Sequence, residues 1–326
     1  MRIFTNAHYN FLRWRWHALA LSAVVVLGGL ALMVSRGGVP LGVDFSGGTV
    51  LVYKFDRPIS EDAVRSAISG LPGEEIIQSY GQPGENEILI RLPEMVAEEG
   101  ASLEQGSRAV EDALVRADIG KPELLSREIV GPVVGRDLQR KGIYATLASI
   151  LGITAYIAFR FRFSFAIGAI AATLHDILVT LACLSFAGYE LSLNVVAALL
   201  TITGYSVNDT IVVFDRVREN LRGMRRDALD QVVNLSVNQT LGRTIITAGT
   251  TFAAVLALFL FGGEVLHAFA FTMLVGIVSG TYSTIFIASA IAIILSKRRA
   301  RARAPAAPAG DKGDKGDRKD RKARAS

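Results

Sequence analysis

One aspartate stands where an apolar run offers it no evident place. No charged residue occurs between Glu190 and Asp209, and the run continues as GYSVNDTIVVFDRVREN, so Asp209 falls inside a stretch long enough to cross a membrane. An ionised carboxylate at mid-bilayer costs about 2.5 to 3.5 kcal/mol on insertion scales, so its retention needs a reason. On a helix, Tyr205, Thr201 and Ala198 share its face and Ser206 is adjacent, a small, polar side suited to a bundle interior. A second stripe begins at Arg243 and continues through Thr247, Thr250 and Ala254 on the next apolar run. The two runs cross in opposite directions, which brings Asp209 and Arg243 to comparable depth. A desolvated carboxylate beside a mobile guanidinium can take up and release a proton as helices move. A buried Asp–Arg pair can also be purely structural.

His175 and Asp176 form another polar pair, with Asp176 in the stripe Gly168, Ala172, Asp176 and Thr180. Either conduction or packing would account for it. His-Asp also opens a metal phosphohydrolase motif, but no further ligands accompany it in mid-membrane. Gly276 and Gly280 make a small-x-x-x-small face for helix packing. Cys183 is the only cysteine, so there is no disulfide framework and no thiolate metal site.

The elements that must position these residues follow from charge segregation. The chain has 326 residues, 51% of them hydrophobic, with a formal charge of +5. Charges are nearly absent from six windows, roughly 17–34, 143–159, 164–186, 192–214, 244–261 and 268–295, and dense between them. That is the signature of a polytopic α-helical membrane protein. Arginines and lysines gather before the first window, between the second and third, in the 215–243 loop and after the sixth, while AGYELS and GGEVLHA hold none. The positive-inside rule then places both termini, 1–16 and 296–326, in the cytoplasm. The first window reads as an uncleaved anchor, since no A-x-A-like site follows it.

Residues 35–142 therefore lie across the membrane. GGTVLVYKF reads as a strand, SEDAVRSAISGL as a helix capped by Ser60, EEIIQSY and EILIRL as a hairpin, LEQGSRAVEDALVRAD as a helix with Leu103, Val110, Leu114 and Ala117 on one side, and PELLSREIV as a last strand. The order β-α-β-β-α-β is the α+β, ferredoxin-like arrangement. It holds no histidine, no cysteine and no nucleophile beside a base, so a binding or mechanical module is expected, not an enzyme. The tail from 296 is Ala/Pro-rich and then a Lys/Arg/Asp/Gly run, expected to be disordered and solvated, with attraction to membrane lipids as an alternative. No interleaved aromatics point to nucleic acid.

Three motifs, GVDFSGGT, REIVGPVVGRDL and GYSVNDTIVVFDRVREN, occur in an order that resembles the SecF family of protein-export subunits, itself similar to half of an RND-superfamily transporter. The resemblance covers the chain to about residue 296. It implies a six-span partner of SecD that associates with the SecYEG channel, and with YajC and YidC, in the bacterial inner membrane. There it would use the proton motive force, with no cofactor beyond the proton, to promote the late, ATP-independent translocation of preproteins. Asp209, Arg243 and Thr247 would form the proton relay. Asp44, Phe45, Gly47 and Gly48 would shape the junction of the first span with the exported domain. Half of a small-molecule RND exporter and an intramembrane aspartyl protease built on Asp176 and Asp209 are the competing readings.

Overall fold

The computed structural model describes residues 8–71, 76–81, 84–92 and 101–303; of the tail expected to be disordered from 296, residues 296–303 instead continue the last helix, and the rest from 304 lies outside the described residues. A 3-10 turn at Phe11–Trp14 leads into α1 (Arg15–Ser35), and a short turn of helix, α2 (Val43–Ser46), precedes the sheet domain. That domain runs β1 (Gly48–Lys54), α3 (Glu61–Ile68), β2 (Ile76–Tyr80), β3 (Glu87–Leu92), α4 (Ala101–Arg116) and β4 (Glu123–Val130). Long helices follow: α5 (Pro132–Arg160), α6 (Phe163–Ala187), α7 (Leu193–Gly223), α8 (Leu229–Phe261) and α9 (Glu264–Ser283), then a π-helical turn at Thr284–Ala288 and α10 (Ser289–Arg303). Six segments are long and apolar enough to span a membrane.

The strands pair antiparallel in the order β2-β3-β1-β4, so β3 sits between the two strands joined through α3. Alternation explains the core: Leu51 and Tyr53 from β1 and Ile88, Ile90 and Leu92 from β3 meet Val64 and Ile68 of α3 and Val110 and Leu114 of α4. Ser60 caps α3, its hydroxyl accepting from the Ala63 N–H at 3.3 Å. Ala117 follows the last residue of α4 and is exposed, so it does not extend the apolar side; the side chain of Leu103 lies outside the described residues.

The spanning helices extend further than hydropathy alone suggested. The expected loop at 215–243 is largely helical, because α7 continues to Gly223 and α8 starts at Leu229. Charged residues end a hydropathy window without ending a helix; Arg216 and Glu219 pair at 2.7 Å along the extension. Similarly α5 begins at Pro132, where proline suits the first helical position, well ahead of the apolar window at 143.

Small residues set the packing. A Cβ on Gly276 would lie 2.4 Å from Ile202, and one on Gly280 2.9 Å from Ser206, so α9 presses directly on α7 through the predicted face. A Cβ on Gly168 would lie 2.5 Å from the Ala288 carbonyl oxygen, which places α6 against the π-turn. The most apolar window of the sixth span is 67% buried within the chain, against 6% for α5 and 11% for α8. The apolar windows of these two helices are therefore left mostly uncovered, open to lipid or to a neighbour.

Candidate functional site

Asp209 sits on α7 facing α8, and its Oδ1 accepts a hydrogen bond from the Thr244 hydroxyl at 2.6 Å. Its Oδ2 is buried and has no hydrogen-bond partner. A pocket of about 40 Å³ adjoins it, lined by Asp209, Tyr205, Ser206, Arg243, Thr244 and Thr247 among others. That is room for about one water molecule. Arg243 and Thr247 line the same pocket but are exposed on the outer side of α8. No ion pair joins Asp209 to Arg243 among the described residues. The residue that binds the carboxylate directly is Thr244, which the sequence reading passed over. Following i,i+4 from Arg243 lands on Thr247, whereas the buried edge of α8 lies one position past the arginine.

Asp176 belongs to a different polar centre. It is 1% exposed, and its oxygens accept from Ser206 at 2.5 Å on α7, from Ser279 at 2.7 Å and Ser283 at 2.8 Å on α9 and from His175 Nδ1 at 3.1 Å. Three serines and a histidine fill the four acceptor directions of a carboxylate. The centre ties α6, α7 and α9 together. Ser206 joins it to the first site, since it also lines the Asp209 pocket. One helical turn beyond Ser206, Thr210 shares a 2.8 Å hydrogen bond with Thr284, the first residue of the π-turn. The i,i+5 turn thus stands beside the polar face of α7, a placement in which π-turns recur at functional sites. Among the described residues no group of three His, Cys, Asp or Glu could hold a metal ion.

The third cluster joins the sheet domain to the bundle. Gly47 and Gly48 take φ of +73° and +117°, where a side chain would be strained, and turn the chain from α2 into β1. Phe45 is buried against the start of α5: a Cβ on Gly135 would lie 3.2 Å from the Phe45 carbonyl oxygen, and one on Gly142 3.7 Å from its ring. Asp44 reaches further than the junction itself. Its carboxylate accepts from the Leu193 N–H at 2.8 Å, satisfying a free donor at the N-terminus of α7. Gly42 N–H donates to the Leu191 carbonyl and Leu191 N–H to that of Pro40, both at 2.8 Å. Arg91 of β3 closes the cluster, binding Glu190 at 2.6 Å and the Leu41 carbonyl at 2.9 Å. Burial pushes the Glu190 carboxyl above its ordinary value, with Arg91 opposing the shift. The helix that carries Asp209 is therefore anchored at its start to the sheet domain.

Arg91→Ala would strand the Leu41 carbonyl and the Glu190 carboxylate. Because Glu190 is 40% exposed, the cost falls below that of a fully buried pair, at about 1 to 2 kcal/mol. The expected result is roughly tenfold faster hydrogen exchange at the Gly42 and Leu191 amides, with Leu51 and Ile90 unchanged. Faster exchange throughout the sheet would instead mean that the domain itself had been weakened.

Comparison with known proteins agrees with this architecture. The family described as protein export membrane protein SecD/SecF, C-terminal, matches residues 109–298, and the SecD/SecF GG motif matches residues 36–59. The protein translocase subunit SecF of Rhodothermus marinus is 44% identical over 93% of this chain and 98% of its own length. That of Escherichia coli O157:H7 is 39% identical over 89% of each. The crystal structure of SecDF from Thermus thermophilus, a translocon-associated membrane protein, superposes with a TM-score of 0.81 at 33% identity, covering 91% of this chain and 40% of that one. SecDF in its super-membrane-facing form superposes with a TM-score of 0.67 at 34% identity. On these matches the chain belongs to the SecD/SecF family of multi-pass protein-export membrane proteins, on its SecF side, with a role in protein translocation.

Proposed function

We propose that the chain works with SecD to couple inward proton movement to late, ATP-independent translocation of preproteins through SecYEG, with YajC and YidC as further associates. The carrying observation is the Asp209 carboxylate, with one oxygen held by Thr244 and the other buried, unpartnered and beside a water-sized pocket. The unpartnered oxygen is the atom that takes the proton. Arg243 and Thr247 stand on the open side of the pocket, facing the surface that SecD would cover. The chain matches less than half of the SecDF chain, which supports a SecD half as the occupant of the uncovered α5 and α8 faces.

The sheet domain is the ferredoxin-like, exported part in this reading, and both termini lie in the cytoplasm of an inner-membrane protein. Asp44 and Arg91 supply the mechanical link, so a shift of α7 on protonation is passed to the domain that handles the preprotein. A protease dyad fits less well. Two catalytic carboxylates must share a water, and every acceptor direction of Asp176 is occupied by a protein donor. The test is preprotein translocation into vesicles holding this chain, SecD and SecYEG, with and without an uncoupler. A stimulation lost on uncoupling is expected; one that survives full collapse of the gradient would contradict the reading.

A further inference from the structure

A second cavity shares no lining residue with the Asp209 pocket. It lies where α5 ends and α6 begins and encloses about 450 Å³, within the size range of small-molecule sites. Its floor is aromatic and apolar: Phe165 and Phe214 meet edge to face at 5.0 Å, with Val217 beside them, all buried. Its rim is cationic, formed by Arg160, Arg162, Arg218 and Arg222. Arg160 is neutralised by Asp215 at 2.5 Å. Arg162, Arg218 and Arg222 make no ion pair among the described residues and are exposed.

Guanidinium forks hold phosphate oxygens in two-pronged hydrogen bonds, and unpaired ones at the end of a membrane span meet the headgroup layer. The apolar floor then accepts what a free phosphate would leave empty. Toward the outside, Phe159 is 94% and Phe163 66% exposed, which continues the apolar surface from the cavity mouth into the bilayer. The Arg299 guanidinium sits 5.7 Å from the Phe163 ring and adds a further positive charge at the same corner. We propose that this cavity binds an anionic phospholipid, its phosphate among Arg162, Arg218 and Arg222 and the root of its acyl chains over Phe165 and Phe214. The charge excess selects an anionic lipid over a zwitterionic one, whose own ammonium would face the arginine rim. The bound lipid would brace the α5–α6 corner against α7, on the same helix as Asp209.

The complex with SecD, placed in phosphatidylcholine nanodiscs doped with phosphatidylglycerol, provides the test. Lipid retained by the complex is counted by native mass spectrometry. Retained phosphatidylglycerol is expected for the unaltered chain, with roughly thirtyfold weaker retention in the Arg218→Gln/Arg222→Gln double variant. Arg225→Gln/Arg226→Gln removes the same charge from the turn just after α7, outside the cavity, and should retain the lipid fully. Equal loss in both double variants would show diffuse surface attraction and overturn the site, as would no loss in either. Saturation by glycerol phosphate at the concentration that saturates the lipid would overturn the acyl part of the proposal. Co-purification with SecD confirms that each variant is folded.

Discussion

Asp209→Asn is expected to abolish the gradient-dependent part of translocation while the protein still inserts and binds SecD. The asparagine side-chain oxygen accepts from Thr244 as the carboxylate does, so the 2.6 Å contact between α7 and α8 is retained. What disappears is the group that changes charge. Since the second carboxylate oxygen accepts from no group, its replacement by an amide leaves no nearby donor unsatisfied. The loss should thus be complete in function and below about 1 kcal/mol in stability. Thr244→Val separates the two effects further: it removes the hydroxyl but keeps the titrating group, and should lower the stimulation by about tenfold or less through misplacement of the carboxylate. Translocation assays in SecD-containing vesicles, with thermal unfolding in detergent alongside, check both variants. Full stimulation in Asp209→Asn would remove the basis of the proposed coupling.

Asp176→Ala should have the opposite profile, with a large effect on stability. Its carboxylate accepts from serines on two other helices, so alanine leaves the Ser206 and Ser279 hydroxyls without their partner in a buried helix crossing. Ser283 is less exposed to the change because it also donates to the Gly280 carbonyl at 3.2 Å. Interhelical polar contacts in membranes are individually modest, and four together with the cavity left behind give a loss of about 2 to 4 kcal/mol. Asp176→Asn keeps an oxygen for two of the donors and should recover most of that stability. If the centre only braces the helices, translocation recovers with stability in Asp176→Asn. An Asp176→Ala protein as stable as the parent would show that the serines find other partners.

The six spans, the β-α-β-β-α-β order and Asp209 itself were legible because each rests on a local pattern: hydropathy length, period-two alternation, or a charge out of place. Pairings between distant segments were not. Ser279 and Ser283 stand out in no way within their apolar run, and only the approach of α9 to α6 gives them meaning. Thr244 was hidden for a related reason, since its charged neighbour Arg243 drew the helical face that was followed. The GVDFSGGT motif announced a turn through its two glycines, yet Asp44 capping α7 depends on a contact across 149 residues. The ends of α5, α7 and α8 went astray because polar residues stop a membrane span sooner than they stop a helix.

Proton flux is the quantity closest to the central claim. Proteoliposomes holding this chain with SecD, loaded with a pH-sensitive dye and given an imposed proton gradient, should show acidification that Asp209→Asn reduces to the level of empty liposomes. Wild-type flux through the Asp209→Asn protein would contradict the assignment of that carboxylate as the proton's binding site.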